Sequence, residues 1–518
     1  CENIILPLDL EKQTKEKVTY ALEYARYWDA TIRIVSVVLR DNNEVRSKLS
    51  KNIKQVEQFI LDAGVGLFLA AYSVAMLANE ALPGGNASVH YTGKNAFSRP
   101  SANMSITRKL DFNVGNSFFR NPWVIAPSSS SARDGLGPIF NTNSCQSCHI
   151  KDGRGHAPVG PEDSAVSMLI RLSVPPITET QVEAVLTQGL IPEPIYGGQL
   201  QDNGIQDVNA EGRIEIQWQA LHQVLPDGER ISLRKPLFEI KELQYGPMST
   251  DVMMSARVAP PMIGLGLLEA IPDAILLATE DINDEDNDGI SGKANRVWNV
   301  ESNKLSLGRF GWKAGQPSLL QQNAAAFNGD LGITSQLFPK DHCTDRQTSC
   351  LKAPNGGQFE LSQNILSFVE FYTRNLAVPA RTNFQTETIT QGKRLFEMSG
   401  CVNCHTPHYT TAKLMNQPEQ SEQEIWPYSD LLLHDMGEGL ADNRSEFLAN
   451  GREWRTPPLW GLSQQENVSG HAELLHDGRA RNVLEAILWH SGEAQKAKDY
   501  VINMHKDKRD SLVSFVES

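Results

Sequence analysis

Cys145-Gln146-Ser147-Cys148-His149 and Cys401-Val402-Asn403-Cys404-His405 are two copies of one pentad, Cys-x-x-Cys-His. That spacing is the attachment signature of c-type haem. Two thiols three residues apart add to the two vinyl groups of one porphyrin, and the adjacent imidazole ligates its iron. A zinc site would gather its ligands within one short segment, and a redox dithiol has no need of the following histidine. The sequence therefore predicts two covalently bound haem c groups, with His149 and His405 as proximal iron ligands. Four of the seven cysteines are used in this way. Cys343 and Cys350 enclose a short polar segment and can close a local disulfide; Cys1 is left over. Disulfides and c-type haem both point outside the cytoplasm.

A second ligand set lies between the pentads, in Asp284-Glu285-Asp286-Asn287-Asp288-Gly289-Ile290. Alternate carboxylates turn their oxygens toward one centre, Gly289 permits the sharp turn, and Ile290 offers its backbone carbonyl. The predicted calcium ligands are Asp284, Asp286, Asp288 and Ile290, with Asn295 where an EF-hand has its bidentate Glu. An EF-hand helix pair is therefore not implied. The alternative is a solvated acidic turn.

The elements around the pentads also repeat. Gly137-Pro138-Ile139-Phe140 precedes the first and Gly392-Lys393-Arg394-Leu395-Phe396 the second, both read as a short apolar helix leading into the attachment turn. Downstream, Arg257-Val258-Ala259-Pro260-Pro261-Met262-Ile263-Gly264-Leu265 is echoed by Arg455-Thr456-Pro457-Pro458-Leu459-Trp460-Gly461-Leu462. The repeat predicts two homologous haem domains in tandem. A hydrophobic content of 40% supports folded cores, and a net charge of −14 argues against nucleic acid as a partner.

The expected fold is mainly α: two tandem cytochrome c-like haem domains, 82–340 and 341–518, with a small β insertion within 195–255. A partial α/β segment, 1–64, precedes them. In it Ile4 to Leu8 and Thr31 to Leu39 read as strands, and Lys15 to Trp28 and Val45 to Leu61 as helices. Residues 65–81 carry an apolar, signal-like run that is too short for a stable membrane span.

Residues 1–64 resemble the first half of a universal stress protein domain, with Asp9 in its acidic position after the first strand; that family's glycine-rich nucleotide loop is missing. A cytoplasmic fold of this kind conflicts with exported haem. The expectation is a fused front end, with the functional protein starting near Leu82. From there on, Leu82-Pro83-Gly84-Gly85, Asn116 to Trp123, Ala132 to Pro138, Pro260 to Glu269, Arg309 to Lys313, Leu431 to Gly437 and His476 to Arg479 resemble the di-haem oxidoreductase family, also labelled thiol-oxidoreductase-like. That family is related to the bacterial di-haem cytochrome c peroxidases.

The resemblance implies a periplasmic enzyme reducing hydrogen peroxide or another small oxidant. A small donor such as a cytochrome c or a cupredoxin would feed the C-terminal haem, which passes electrons to the N-terminal one. The resemblance places the sixth ligand of the C-terminal haem at His490, with Met436 and His434 as alternatives. For the N-terminal haem it singles out no sixth ligand among His156, Met168 and His222. The catalytic acid falls on Glu269, with Gln316 or Gln322 beside it. Calcium near the domain interface and Trp312 as a bridge between the haems complete the analogy. The competing functions are a pure electron carrier with two six-coordinate irons, and an oxidase of a protein or small substrate on the same scaffold.

Overall fold

The computed structural model describes residues 3–7, 31–35 and 80–518, apart from 131, 161, 162, 164 and 165. It divides into two compact units, 1–79 and 80–518. In the first unit Asn3–Pro7 and Thr31–Val35 form strands that pair in parallel, Asn3 opposite Thr31. Their β-branched composition suits a pleated strand. The helices expected at 15–28 and 45–61, Asp9, and the apolar run at 65–77 lie outside the described residues.

In the second unit each pentad is served by a pair of crossing helices. Ile106–Arg120, capped by Ser105, crosses Gln363–Arg374, capped by Ser362. The crossing point is Gly115, where a Cβ would overlap the Phe368 carbonyl oxygen and the Tyr372 side chain. Glu387–Met398 crosses Lys506–Val516 in the same way. A Cβ on Gly392 would overlap the Ser511 carbonyl oxygen and Phe515. Four residues beyond each glycine, on the same helix face, a phenylalanine reaches the pentad histidine. Phe119 lies 6.2 Å from the His149 ring, and Phe396 lies 6.2 Å from His405.

The repeat is thus Gly-x-x-x-Phe, in register with the helix crossing. The expected helix at 137–140 does not form: Ile139–Phe140 is a two-residue strand paired with Asn203–Gly204. The helix that serves the first pentad ends at Arg120, and an irregular segment intervenes.

Two short antiparallel ribbons repeat as well. Met168–Ser173 pairs with Met253–Val258, placing Leu169 opposite Arg257. Leu433–Asp435 pairs with Glu453–Arg455, placing Leu433 opposite Arg455. Each second strand runs through Pro-Pro into a left-handed glycine that opens a helix: Gly264 (φ 70°) before Leu265–Glu269, and Gly461 (φ 75°) before Leu462–Ser469. A Cβ on Gly264 would overlap Trp460, and one on Gly461 would overlap Ile263. The sequence echo is therefore two backbone turns packed against each other, at positions where side chains other than hydrogen do not fit. Around them Ile263, Leu267 and Trp460 form a shared core.

The segment expected to be a β insertion contains the hairpin Arg213–Val224 with Arg230–Lys241. Ile214, Ile216 and Leu233 of the hairpin pack on Met168 and Ile170 of the first ribbon. Cys343 and Cys350 form a disulfide. Among the described residues no helix is long and apolar enough to cross a membrane.

Candidate functional site

The crossing helices, ribbons and turns enclose a cavity of about 490 Å³ lined by Cys145, Cys148 and His149 and also by Cys401, Cys404 and His405. At each end the pentad histidine is fixed by its Nδ1. His149 Nδ1 lies 2.7 Å from the Pro260 carbonyl oxygen, and His405 Nδ1 lies 2.8 Å from that of Tyr428. A carbonyl only accepts, so each Nδ1 carries the proton and Nε2 keeps its lone pair, as a metal-ligating histidine requires. Burial pushes both imidazoles down to about 4, so they are neutral at physiological pH.

The four pentad cysteines are free of disulfides. Burial pushes the Cys145 thiol up to about 12 and the Cys401 thiol up to about 11, and raises Cys148 and Cys404 in the same direction.

His490 closes the Val483–Trp489 helix and lines the same cavity. Its Nδ1 donates to the Ala486 carbonyl oxygen at 2.6 Å, which again leaves Nε2. It is near enough to His405 for a charge on one ring to depress the pKa of the other. His434 is committed elsewhere. Its Nε2 is 2.8 Å from Asp430 Oδ2 and its Nδ1 is 2.7 Å from Glu493 Oε2. Burial opposes its charge, but the Asp430 carboxylate and the Cys404 sulfur outweigh that and hold it well above the usual range for histidine. An imidazolium with both nitrogens engaged has no lone pair for iron. Met436 lines the cavity too.

The first site is arranged differently. Of the residues offered for its sixth position, His156 bonds the Ala157 carbonyl oxygen at 2.8 Å, Met168 is wholly buried in the core and His222 is exposed; none lines the cavity. His476 does line it, lying flat on Trp454 with ring centroids 3.7 Å apart.

Glu269 is not in the cavity. It accepts the Leu319 N–H at 2.8 Å and the Arg374 guanidinium at 2.8 Å, which anchors one helix start and one helix end. Successive helix residues are about 100° apart, so Leu265 and Leu268 face inward while Glu269 turns away. Glu446 is among the carboxylates that do line the cavity, with Asp288, Asp330 and Glu493. Burial opposes its ionisation, yet Arg257 and Arg444, each 2.8 Å from its Oε2, hold it well below the usual range. Gln316 and Gln322 both line the cavity, and the Gln316 side-chain oxygen is buried without a partner.

Trp312 lies between the ribbons. Its Nε1 donates to the Val258 carbonyl oxygen at 2.9 Å, and its own carbonyl accepts the Arg455 N–H at 2.9 Å. It therefore spans strand ends from both halves.

The acidic loop is partly preorganised. Asp284 accepts from Gly289, Asp286 from Asp288 and Asp288 from Ile290. The carboxylates that converge are Asp281, Asp284 and Asp286, with oxygens within 4.8 Å of one another. Asp288 and Ile290 line the large cavity instead. Asn295 is not part of the loop. Its Nδ2 donates to Lys313 and Glu446 carbonyls, and its oxygen accepts from Leu448.

Sequence reading missed Glu446, His476 and Arg171. For Arg171 there was a signal: it is one charge inside the apolar run Met168-Leu169-Ile170-Arg171-Leu172. His476 stood in the motif from His476 to Arg479 with no role given to it, and Glu446 had no signal.

A family model described as "Di-haem oxidoreductase, putative peroxidase" matches residues 78–518. No curated protein and no solved structure matches the chain.

Proposed function

Because the chain belongs to the di-haem oxidoreductase family, we propose that it is a periplasmic c-type di-haem peroxidase built on two cytochrome c-like domains. Electrons would enter at the C-terminal haem from a small donor protein, a cytochrome c or a cupredoxin, and leave to hydrogen peroxide at the N-terminal one. The observation that carries this reading is the pair of neutral, Nδ1-tethered histidines, each beside two thiols, at one shared cavity. When bound, the irons supply one-electron transfer and, at an open coordination position, cleavage of the O–O bond.

The chain's own residues divide the remaining work. Cys145, Cys148 and His149 hold one haem; Cys401, Cys404, His405 and His490 hold the other. Glu446, held ionised by its two arginines, would keep a fixed negative charge at the cavity wall, and Gln316 would offer a carbonyl oxygen to orient the peroxide. Trp312 joins the two halves along the path an electron would take. Calcium would be held by the converging carboxylates of Asp281, Asp284 and Asp286. The Cys343–Cys350 disulfide supports an oxidising compartment.

The test is chemical and spectroscopic. Acidified organic solvent should leave two haems per chain in the denatured protein. The half-reduced protein should show one high-spin ferric centre and turn over peroxide with a reduced cytochrome donor. Two low-spin centres in every redox state, with no turnover, would make it an electron carrier.

A further inference from the structure

Arg171 stands out among the cavity's arginines because none of the described residues binds its guanidinium. It projects from the first ribbon, two residues from Leu169, and both line the cavity. Its neighbours are all tied down. Arg257 is bonded to Ser255 and paired with Glu446, Arg444 is paired with the same carboxylate, and Arg154 donates to the Leu475 carbonyl. Among the described residues, Arg171 alone of these four has neither a hydrogen bond nor an ion pair within 4.0 Å. Asp330 and Glu446 act on it only at longer range, and Asp330 is itself bonded to Gln199. Burial works against its charge. A guanidinium does not lose its proton under such pressure, so Arg171 carries a charge with carboxylates near it and no anion bonded to it.

The position of Arg171 relative to the pentad limits what an anion bound to it would be. Cys148 Sγ lies 2.9 Å from the Val166 carbonyl oxygen, just before this strand begins. The strand begins at Met168, and at about 3.3 Å per residue its three steps carry Arg171 roughly 10 Å further along the cavity wall. A porphyrin fixed by thioethers along one edge turns its two propionates to the opposite edge, away from the cysteines. Peroxide is neutral and would leave the charge uncompensated, whereas a carboxylate matches the planar fork of Arg two bonds at a time.

We propose that Arg171 is a carboxylate-binding residue, the anchor for a propionate of the haem attached at Cys145 and Cys148. The assignment rests on the haem reading above and goes beyond it by giving the first haem an orientation within its cavity.

Redox titration of the holoprotein followed by its visible spectrum tests this, with Arg171→Gln and Arg171→Lys beside the wild type. In Arg171→Gln the midpoint potential of the haem without His490 should move to more negative values, because an uncompensated carboxylate favours the ferric state. The other potential should stay where it is. Arg171→Lys keeps the charge and should give a smaller shift. Unchanged potentials together with a slower reaction with peroxide would assign Arg171 to the oxidant and overturn the anchor. If Arg171→Gln does not assemble, the Lys variant and a crystal structure of the wild-type holoprotein decide. A propionate on Arg171 supports the assignment, and both propionates on other side chains refute it. Wild-type protein without covalent haem would be a different failure, that of the haem reading itself.

Discussion

At the scale of single residues, function depends on which nitrogen or oxygen is left over once the fold has used the others. His490 has its Nδ1 bonded to Ala486 and its Nε2 free at the cavity. Replacing it with Ala should therefore convert one low-spin haem to high-spin, and His490→Met should instead keep that haem low-spin and raise its potential. Electron paramagnetic resonance reads both, and an unchanged spectrum in the Ala variant removes the ligand assignment. Glu211 makes the opposite use of burial. It accepts the Gln201 N–H at 2.6 Å and a bond from Gln347, and burial pushes its carboxyl up to about 8 from an ordinary 4.5. Its folded pKa lies above its unfolded one. The stability it contributes is therefore complete below about pH 4.5 and is lost as the pH rises through about 8, by at most roughly 5 kcal/mol. Denaturant unfolding at pH 5 and pH 8 should show a slope in the wild type that Glu211→Gln lacks; equal slopes would sink the claim. The pentads were legible because attachment needs neighbours in sequence. Glu269 lies outside the cavity: adjacency along the chain says nothing about which way a helical side chain turns. Glu446 meets Arg257 and Arg444 through contacts that only the fold creates.

The elements that hold each pentad are set by close approach rather than by propensity. At Gly115 and Gly392 one helix backbone rests on another, and a methyl group would have to displace a carbonyl oxygen. Gly392→Ala should cost roughly 1–3 kcal/mol, as overpacking does. Through Phe396 it should also disturb the spectrum of the haem at His405 before that of the other. Gly115→Ala should reverse the order through Phe119. Gly160→Ala is the control, since nothing lies within 4 Å of a Cβ there and its effect should be small. Thermal unfolding followed at the absorbance of each haem checks all three; equal losses at both haems would mean the crossings do not act locally. This repeat was present in the sequence as Gly-x-x-x-Phe. It was hidden because residues 121–144 separate the first helix from its pentad, while only two residues separate the second. The Pro-Pro-Gly echo was easier to see, because the left-handed turns at Gly264 and Gly461 restrict the residue type as well as the space.

Across the whole second unit the two halves are interleaved, so a boundary drawn between pentads does not mark a place where the chain can be cut. The helix Gln363–Arg374, which packs on the first half through Gly115, follows residue 340, and residues near the start of the unit cross to the second half. Trp426 donates to the Pro83 carbonyl oxygen at 2.8 Å, and buried Glu80 pairs with Arg381 at 3.0 Å. A boundary at 340 follows from counting residues per domain, but helix pairing is a long-range choice that composition does not encode. Residues 80–340 alone would expose the buried faces of Phe112 and Phe119, which contact Tyr372 at 4.7 and 5.2 Å in the intact unit. Residues 80–380 restore that helix while still lacking the partners of Glu80. The fragment ending at 340 should therefore show no cooperative thermal transition and take up no haem in an export-competent host. The fragment ending at 380 should unfold cooperatively, at a lower temperature than the full unit. Cooperative unfolding of the shorter fragment would show that the Gly115 crossing is dispensable. The shared cavity would then be a later assembly of two self-sufficient halves instead of a product of their folding together.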